Sequence, residues 1–187
     1  MDTFPFQIYS IEVVEQYSLV AKEMIRLAGI GSYVRVITID PESSSLSSEL
    51  RTNAAATMNE DRGIDFLFVD HDKSLYLPDL KELEATGMIK QGTHVAADNV
   101  IFAEIQDYRR YMSKLSDEGI LTTRLEDSLV EFCQPELLLS SFDSSNGNEK
   151  NKINNEDVNL STISATLITK DMLQDGIEFS VYLRDPK

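Results

Sequence analysis

Ile64-Asp65-Phe66-Leu67-Phe68-Val69-Asp70 carries the strongest fold signal in the chain. It is apolar at nearly every position and closes on an acid, the pattern of a parallel strand buried on both faces. Upstream, Val34-Arg35-Val36-Ile37-Thr38-Ile39 is β-branched almost throughout and reads as a second parallel strand. Downstream, Gly92 leads into Thr93-His94-Val95-Ala96-Ala97-Asp98, another strand ending in an acid. Between these two acid-ended strands, Pro78 fits the first turn of a helix carrying Leu80, Leu83 and Met88.

The flanks extend the alternation. Ile8-Tyr9-Ser10-Ile11-Glu12-Val13 is a short β-prone run. From Glu15 to Ala28, the residues Val20, Met24, Leu27 and Ala28 recur at helical spacing opposite Lys22, Glu23 and Arg26, and Gly29 is placed to end that amphipathic helix. A further helix is expected from about Glu104 to Leu115, then a β-prone stretch from Leu121 to Phe132 and a last strand from Ile177 to Leu183. The last two are expected to pair as an antiparallel hairpin. Strand and helix alternate, so the class is α/β with a doubly wound, mostly parallel sheet. Residues 140–160, rich in Ser, Asn, Asp and Glu, have too few apolar groups to offset the entropy of ordering and are expected to form a disordered insertion. Ser43 to Ser48 reads as a smaller loop.

The chain has 187 residues, 42% hydrophobic and 26% charged, which fits one domain with a sizeable core. Seventeen basic against 32 acidic side chains leave a net charge of -15, a field that repels nucleic-acid phosphates and anionic membrane surfaces. Nucleic acid is therefore excluded as an expected partner. Cys133 is the only cysteine, so no internal disulfide forms and a reducing, cytoplasmic setting is expected. No stretch approaches the roughly 18 to 20 apolar residues of a membrane span, and residues 1–6 lack the features of a secretory signal.

In doubly wound sheets the ligand crevice lies outside the carboxyl ends of the strands, so acids that end buried strands converge there. Asp70 ends one such strand and Asp98-Asn99 ends another. Three oxygen ligands without histidine or cysteine suit a hard cation such as Mg²⁺, which keeps open positions for water or substrate. An Asp after a strand also serves as the N-cap of the next helix, so each acid has a purely structural alternative. Glu12, near the end of the first strand, stands where a carboxylate accepts hydrogen bonds from the ribose of a nucleotide-like cofactor, or is simply a solvated edge charge.

Read together, the motifs carry a resemblance. Phe66-Leu67-Phe68-Val69-Asp70-His71-Asp72-Lys73-Ser74-Leu75-Tyr76-Leu77-Pro78-Asp79 resembles the segment of catechol O-methyltransferases that runs strand, Asp-His, Trp, Lys, then Tyr-Leu-Pro-Asp. Ala96-Ala97-Asp98-Asn99-Val100-Ile101 is similar to that family's second metal segment, and Glu12, Met24 to Gly29 and Asp175-Gly176-Ile177-Glu178 fall in register. The resemblance implies a Rossmann-like methyltransferase fold and Mg²⁺-dependent methyl transfer from S-adenosylmethionine to a hydroxyl of a small catechol. It implies that Asp70, Asp98 and Asn99 hold the metal and that Lys73 is the general base, with burial and the neighbouring cation lowering its pKa. It further implies that Glu131 receives a hydrogen bond from the second catechol hydroxyl, and that Glu12, His71 and Asp70 border the cofactor.

The match also departs from the family. Asp72 stands where a tryptophan walls the catechol pocket, and Ile39-Asp40-Pro41-Glu42-Ser43-Ser44-Ser45 lacks the Gly-x-Ser-Gln pattern that contacts adenine. The family's first strand and Gly-rich turn would precede Ile8, so the resemblance implies a partial methyltransferase domain, truncated at its amino end. Its absence is expected to leave the strands at Ile8 to Val13 and Ile64 to Asp70 with unpaired inner edges. A competing expectation is a catalytically inactive remnant that acts as an acidic interaction protein.

Overall fold

A computed structural model describes residues 7–40, 44–54, 63–101, 105–129 and 174–186. Strand β1 (Ile8–Glu12) leads into helix α1 (Glu15–Leu27), β2 (Val34–Thr38) and helix α2 (Leu46–Ala54). Next come β3 (Phe66–Val69), a 3-10 turn (Lys73–Leu75) and helix α3 (Tyr76–Ala85), followed by β4 (His94–Ala97) and helix α4 (Gln106–Asp117). Strands β5 (Leu121–Leu129) and β6 (Gln174–Tyr182) end the series. The fold is α/β, as the alternation predicts. Glu131, Cys133 and the insertion expected at 140–160 lie outside the described residues.

The strands form two sheets. β1 pairs in parallel with β2, and a four-stranded sheet has the order β3-β4-β6-β5. Within it β3 and β4 are parallel, while β6 runs antiparallel to both β4 and β5. The expected carboxyl-terminal hairpin is therefore present, with β6 beginning three residues earlier than the sequence reading placed it. Among the described residues β1 pairs only with β2 and β3 only with β4. One buried cluster nonetheless spans both sheets, joining Ile37, Ile39 and Leu50 to Val69, Tyr76, Leu80, Tyr108 and Tyr182.

Two local expectations are corrected. The segment expected as a serine-rich loop enters helix α2 at Leu46. Ser45 Oγ accepts from Ser48 N at 3.3 Å, and Glu82, on α3, accepts from Ser47 N at 2.7 Å. The serines thus cap a helix whose inner face carries Leu50 and Ala54, both buried. In α1 the expected apolar face is not the packed one: Val20, Met24 and Leu27 are 58–71% exposed, while Ser18 is buried. Ser18 Oγ and Thr38 Oγ1 are 2.6 Å apart, and Lys22 Nζ donates to the same Thr38 oxygen at 3.1 Å. Polar bonds to β2 orient this helix, and its apolar stripe stays open. Gly29 does end α1, with φ +71, a region in which a Cβ is disfavoured.

Candidate active site

Because β3 and β4 are adjacent and parallel, their carboxyl ends deliver Asp70 and Asp98-Asn99 to one rim. Asp98 N donates to Val69 O at 3.0 Å, tying the two strand ends together. Beyond β3, Asp72 Oδ1 accepts from Ser74 N at 2.9 Å and from Ser74 Oγ at 2.7 Å. These bonds hold its carboxyl below the usual range and cap the 3-10 turn that carries Lys73. The acid found in place of an aromatic wall is therefore a turn cap.

Lys73 Nζ is the hub of the site. It donates to Asp70 Oδ1 at 2.9 Å, to Asn99 Oδ1 at 3.0 Å and to the Tyr76 hydroxyl at 2.6 Å. Tyr76 OH in turn donates to the Asp98 carbonyl at 3.1 Å. Partial burial alone would lower the Lys73 pKa, but the bonds to Tyr76 and Asp70 and their charges outweigh it, so the ammonium is held above the usual lysine range. Burial raises the Tyr76 phenol, against the pull of Lys73. Sequence reasoning passed over Tyr76, although its place three residues after Lys73 puts it within a helical turn.

His71 Nε2 lies 2.9 Å from Asp79 Oδ2, and its ring is 5.1 Å from that of Tyr76, beside the hub. Asp98 Oδ1 accepts from Asn99 N at 2.8 Å. Glu12 belongs to the other sheet, where its Oε1 accepts from Val14 N at 2.8 Å, at the entry to α1. Close by, at the carboxyl ends of β1 and β2, a cavity of about 350 Å³ is lined by Val13, Ser18, Leu19, Lys22 and Ile39 among others. The structure thus brings Asp70, His71, Lys73, Asp98 and Asn99 together, and it sets Glu12 apart from their hydrogen-bond network.

Whether the rim suits a cation is decided by its donor chemistry. Among the described residues no three His, Cys, Asp or Glu side chains gather to hold a metal. The oxygens at this rim belong instead to two aspartates and one asparagine, a set of hard donors. Two of them, Asp70 Oδ1 and Asn99 Oδ1, already converge on a positive group, the Lys73 ammonium. The donor chemistry of the rim therefore suits a hard cation, and the Lys73 ammonium occupies the space between those two oxygens.

No family model matches the chain. The sequence is similar to catechol O-methyltransferase B of Danio rerio, with 32% identity over 133 residues, 66% of this chain and 47% of that protein. It is also similar to a probable O-methyltransferase of Mycobacterium tuberculosis, 34% identical over 140 residues, which are 72% of this chain and 57% of that protein. The chain thus spans about half the length of the curated relatives it matches. Among solved structures, the O-methyltransferase from Bacillus cereus in complex with SAH aligns at a TM-score of 0.54 and 16% identity, covering 94% of this chain and 62% of that one. At that identity the match establishes the fold, a Rossmann-like methyltransferase fold. The sequence likeness is to O-methyltransferases, catechol O-methyltransferases among them.

Proposed function

We propose that this chain carries the metal and base half of an S-adenosylmethionine-dependent O-methyltransferase acting on a catechol hydroxyl. The observation that supports this reading most directly is the position of Lys73 Nζ, between Asp70 Oδ1 and Asn99 Oδ1 at the ends of two parallel strands. Asp70, Asp98 and Asn99 would hold Mg²⁺, which when bound supplies Lewis acidity to the catechol oxygens and lowers the pKa of the attacking hydroxyl. Lys73 takes the hydroxyl proton. S-adenosylmethionine, when bound, would supply the methyl group to the oxygen that Lys73 has deprotonated.

A protonated lysine cannot accept that proton, and in the arrangement described here Lys73 is held protonated by its oxygen partners. Were Asp70 and Asn99 to hold a divalent ion, Lys73 would lose two of those partners and gain a like charge beside its amine, and both changes would lower its pKa. Asp70 and Asn99 would therefore serve Lys73 in two ways, as resting partners and, once they hold the ion, as the means of its release. In the same reading His71 and Glu12 border the cofactor and Glu131 meets the second catechol hydroxyl.

The test is methyl transfer to catechol by the chain with Mg²⁺ and millimolar S-adenosylmethionine, followed by mass spectrometry of the product. Methylated catechol from the unchanged chain, and none from Lys73→Ala, is the expected result. Equal turnover by Lys73→Ala would remove that residue from the mechanism. Absence of product from both would overturn the catechol reading for this chain.

A further inference from the structure

The buried carboxylate of Asp175 lies next to this site and has no part in the chemistry above. It is 1% exposed and belongs to β6, 76 positions along the chain from its partner Asn99. Its Oδ2 accepts from Asn99 Nδ2 at 2.7 Å, and its Oδ1 accepts from Gly176 N at 2.8 Å. Asn99 itself has φ +56, in the left-handed region that asparagine tolerates better than most residues. Its amide therefore stands between a carboxylate on one side and the Lys73 ammonium, 3.0 Å from Oδ1, on the other.

An amide has two ways to sit in such a place, and here the neighbours permit one. Rotated by half a turn, it would put its NH₂ against the ammonium and its oxygen against the carboxylate. Both contacts would be repulsive. We infer that Asp175 is a positioning residue which, by holding Asn99 Nδ2, aims Asn99 Oδ1 into the cation pocket; the inference rests on the cation reading of that pocket. Gly176 sets the spacing. Its carbonyl accepts from Val100 N at 3.1 Å, and a Cβ there would meet Leu125 Cδ1 at 2.9 Å and Ile101 Cδ1 at 3.1 Å, so β6 can pass this close only with glycine.

Asp175→Asn changes the outcome in a predictable direction. Asn99 Nδ2 and Gly176 N each donate to a different oxygen of Asp175, whereas an asparagine offers one oxygen and one NH₂. The Gly176 N–H is fixed in the backbone and keeps the oxygen, so the substituted side chain presents its NH₂ to Asn99. Asn99 then rotates and points NH₂ at the cation. Exchanging the pair, Asn99→Asp with Asp175→Asn, restores an oxygen on both sides.

The probe is Mn²⁺ alone, titrated into the full chain and read by the loss of free-ion paramagnetic resonance signal, with circular dichroism to follow folding. Asp175→Asn is expected to weaken binding by about tenfold or more, the scale for residues that orient a metal ligand. The exchanged pair, which also adds a carboxylate to the pocket, is expected to bind to within about threefold of the unchanged chain or more tightly. A folded Asp175→Asn chain that binds as tightly as the unchanged one, or an exchanged pair no better than the single variant, overturns the inference. Should Asp175→Asn not fold, the unchanged chain decides through the side-chain amide protons of Asn99, identified by their loss in Asn99→Asp. Exchange with solvent at least about tenfold slower than in a free asparagine peptide upholds the lock, and exchange at the peptide's rate overturns it. If the unchanged chain binds no Mn²⁺, the cation reading fails, and that exchange rate alone decides whether Asp175 orients Asn99.

Discussion

Lys73 Nζ donates to the phenol oxygen of Tyr76 at 2.6 Å and lies 4.8 Å from the centroid of its ring. Tyr76 is fully buried and meets Tyr108 edge to face at 5.8 Å, so its hydroxyl stands at a fixed point. Tyr76→Phe removes one acceptor from Lys73 and the donor to the Asp98 carbonyl. The Lys73 pKa is expected to fall, because the bond to Tyr76 is the largest influence raising it. Stability is expected to drop by about 1 kcal/mol for the lost hydrogen bonds. Side-chain NMR titration of Lys73 and a thermal melt check the two parts separately.

Lys73→Ala leaves Asp70 Oδ1 and Asn99 Oδ1 without the ammonium that now competes for them. Mn²⁺ binding is therefore expected to stay the same or tighten, by up to about tenfold at low ionic strength, with the gain shrinking as salt screens the charge. Weaker binding in the alanine chain would show that Lys73 organises the pocket instead of competing for it. Calorimetry at two salt concentrations distinguishes the cases.

Glu178 is 6% exposed; its Oε1 accepts from Thr123 at 2.8 Å, and its Oε2 has no hydrogen-bond partner among the described residues. Burial raises its pKa, against the opposing effects of Thr123 and Arg109. The folded chain therefore binds a proton more tightly than the unfolded chain, whose Glu pKa is about 4.3. Stability is lost as pH rises from that value through the folded pKa. Glu178→Gln is expected to be the more stable form at pH 7 by on the order of 1 kcal/mol, the usual scale for an unpartnered buried polar atom. The advantage should vanish near pH 4. An advantage that does not change between pH 4 and pH 7 would contradict the assignment to Glu178.

Gly176→Ala forces a Cβ against Leu125 Cδ1, the Glu126 carbonyl and Ile101 Cδ1, all at 2.9–3.1 Å. The backbone of β5 cannot move aside as a flexible side chain does. A loss of about 1 to 3 kcal/mol is expected, the range for overpacking, and chemical denaturation measures it. Because the same strand carries Asp175, Mn²⁺ affinity is expected to fall with it.

Phe66 and Phe68 are 59% and 54% exposed on β3, a strand with one open edge among the described residues. Apolar side chains on an open edge invite association. Replacing both with Glu is expected to reduce dye binding and self-association, measured by fluorescence and light scattering. The melting temperature should change by only a few degrees, since neither ring belongs to the buried cluster.

Every strand, the helices α1, α3 and α4, and the acids at the ends of β3 and β4 could be read from local sequence. These are local properties: an unbroken apolar run, β-branched residues and a terminal acid are all read within about seven positions. Lys73 was singled out only by the family resemblance, whereas the meeting of Asp70 with Asp98-Asn99 was legible locally, because strand ends in a doubly wound sheet converge. Helix α2 was not, because its start depends on Glu82 of α3, 35 positions from Ser47. Nor was the packed face of α1, which Thr38 selects through Ser18 over the apolar stripe that periodicity favours. That β1 and β3 keep unpaired inner edges among the described residues was expected from the sequence, whereas the meeting of Asp175 with Asn99 came from the tertiary arrangement alone. Periodicity records which face of an element avoids water, whereas a hydrogen bond between distant residues depends on how whole elements are stacked. No local pattern carries that information.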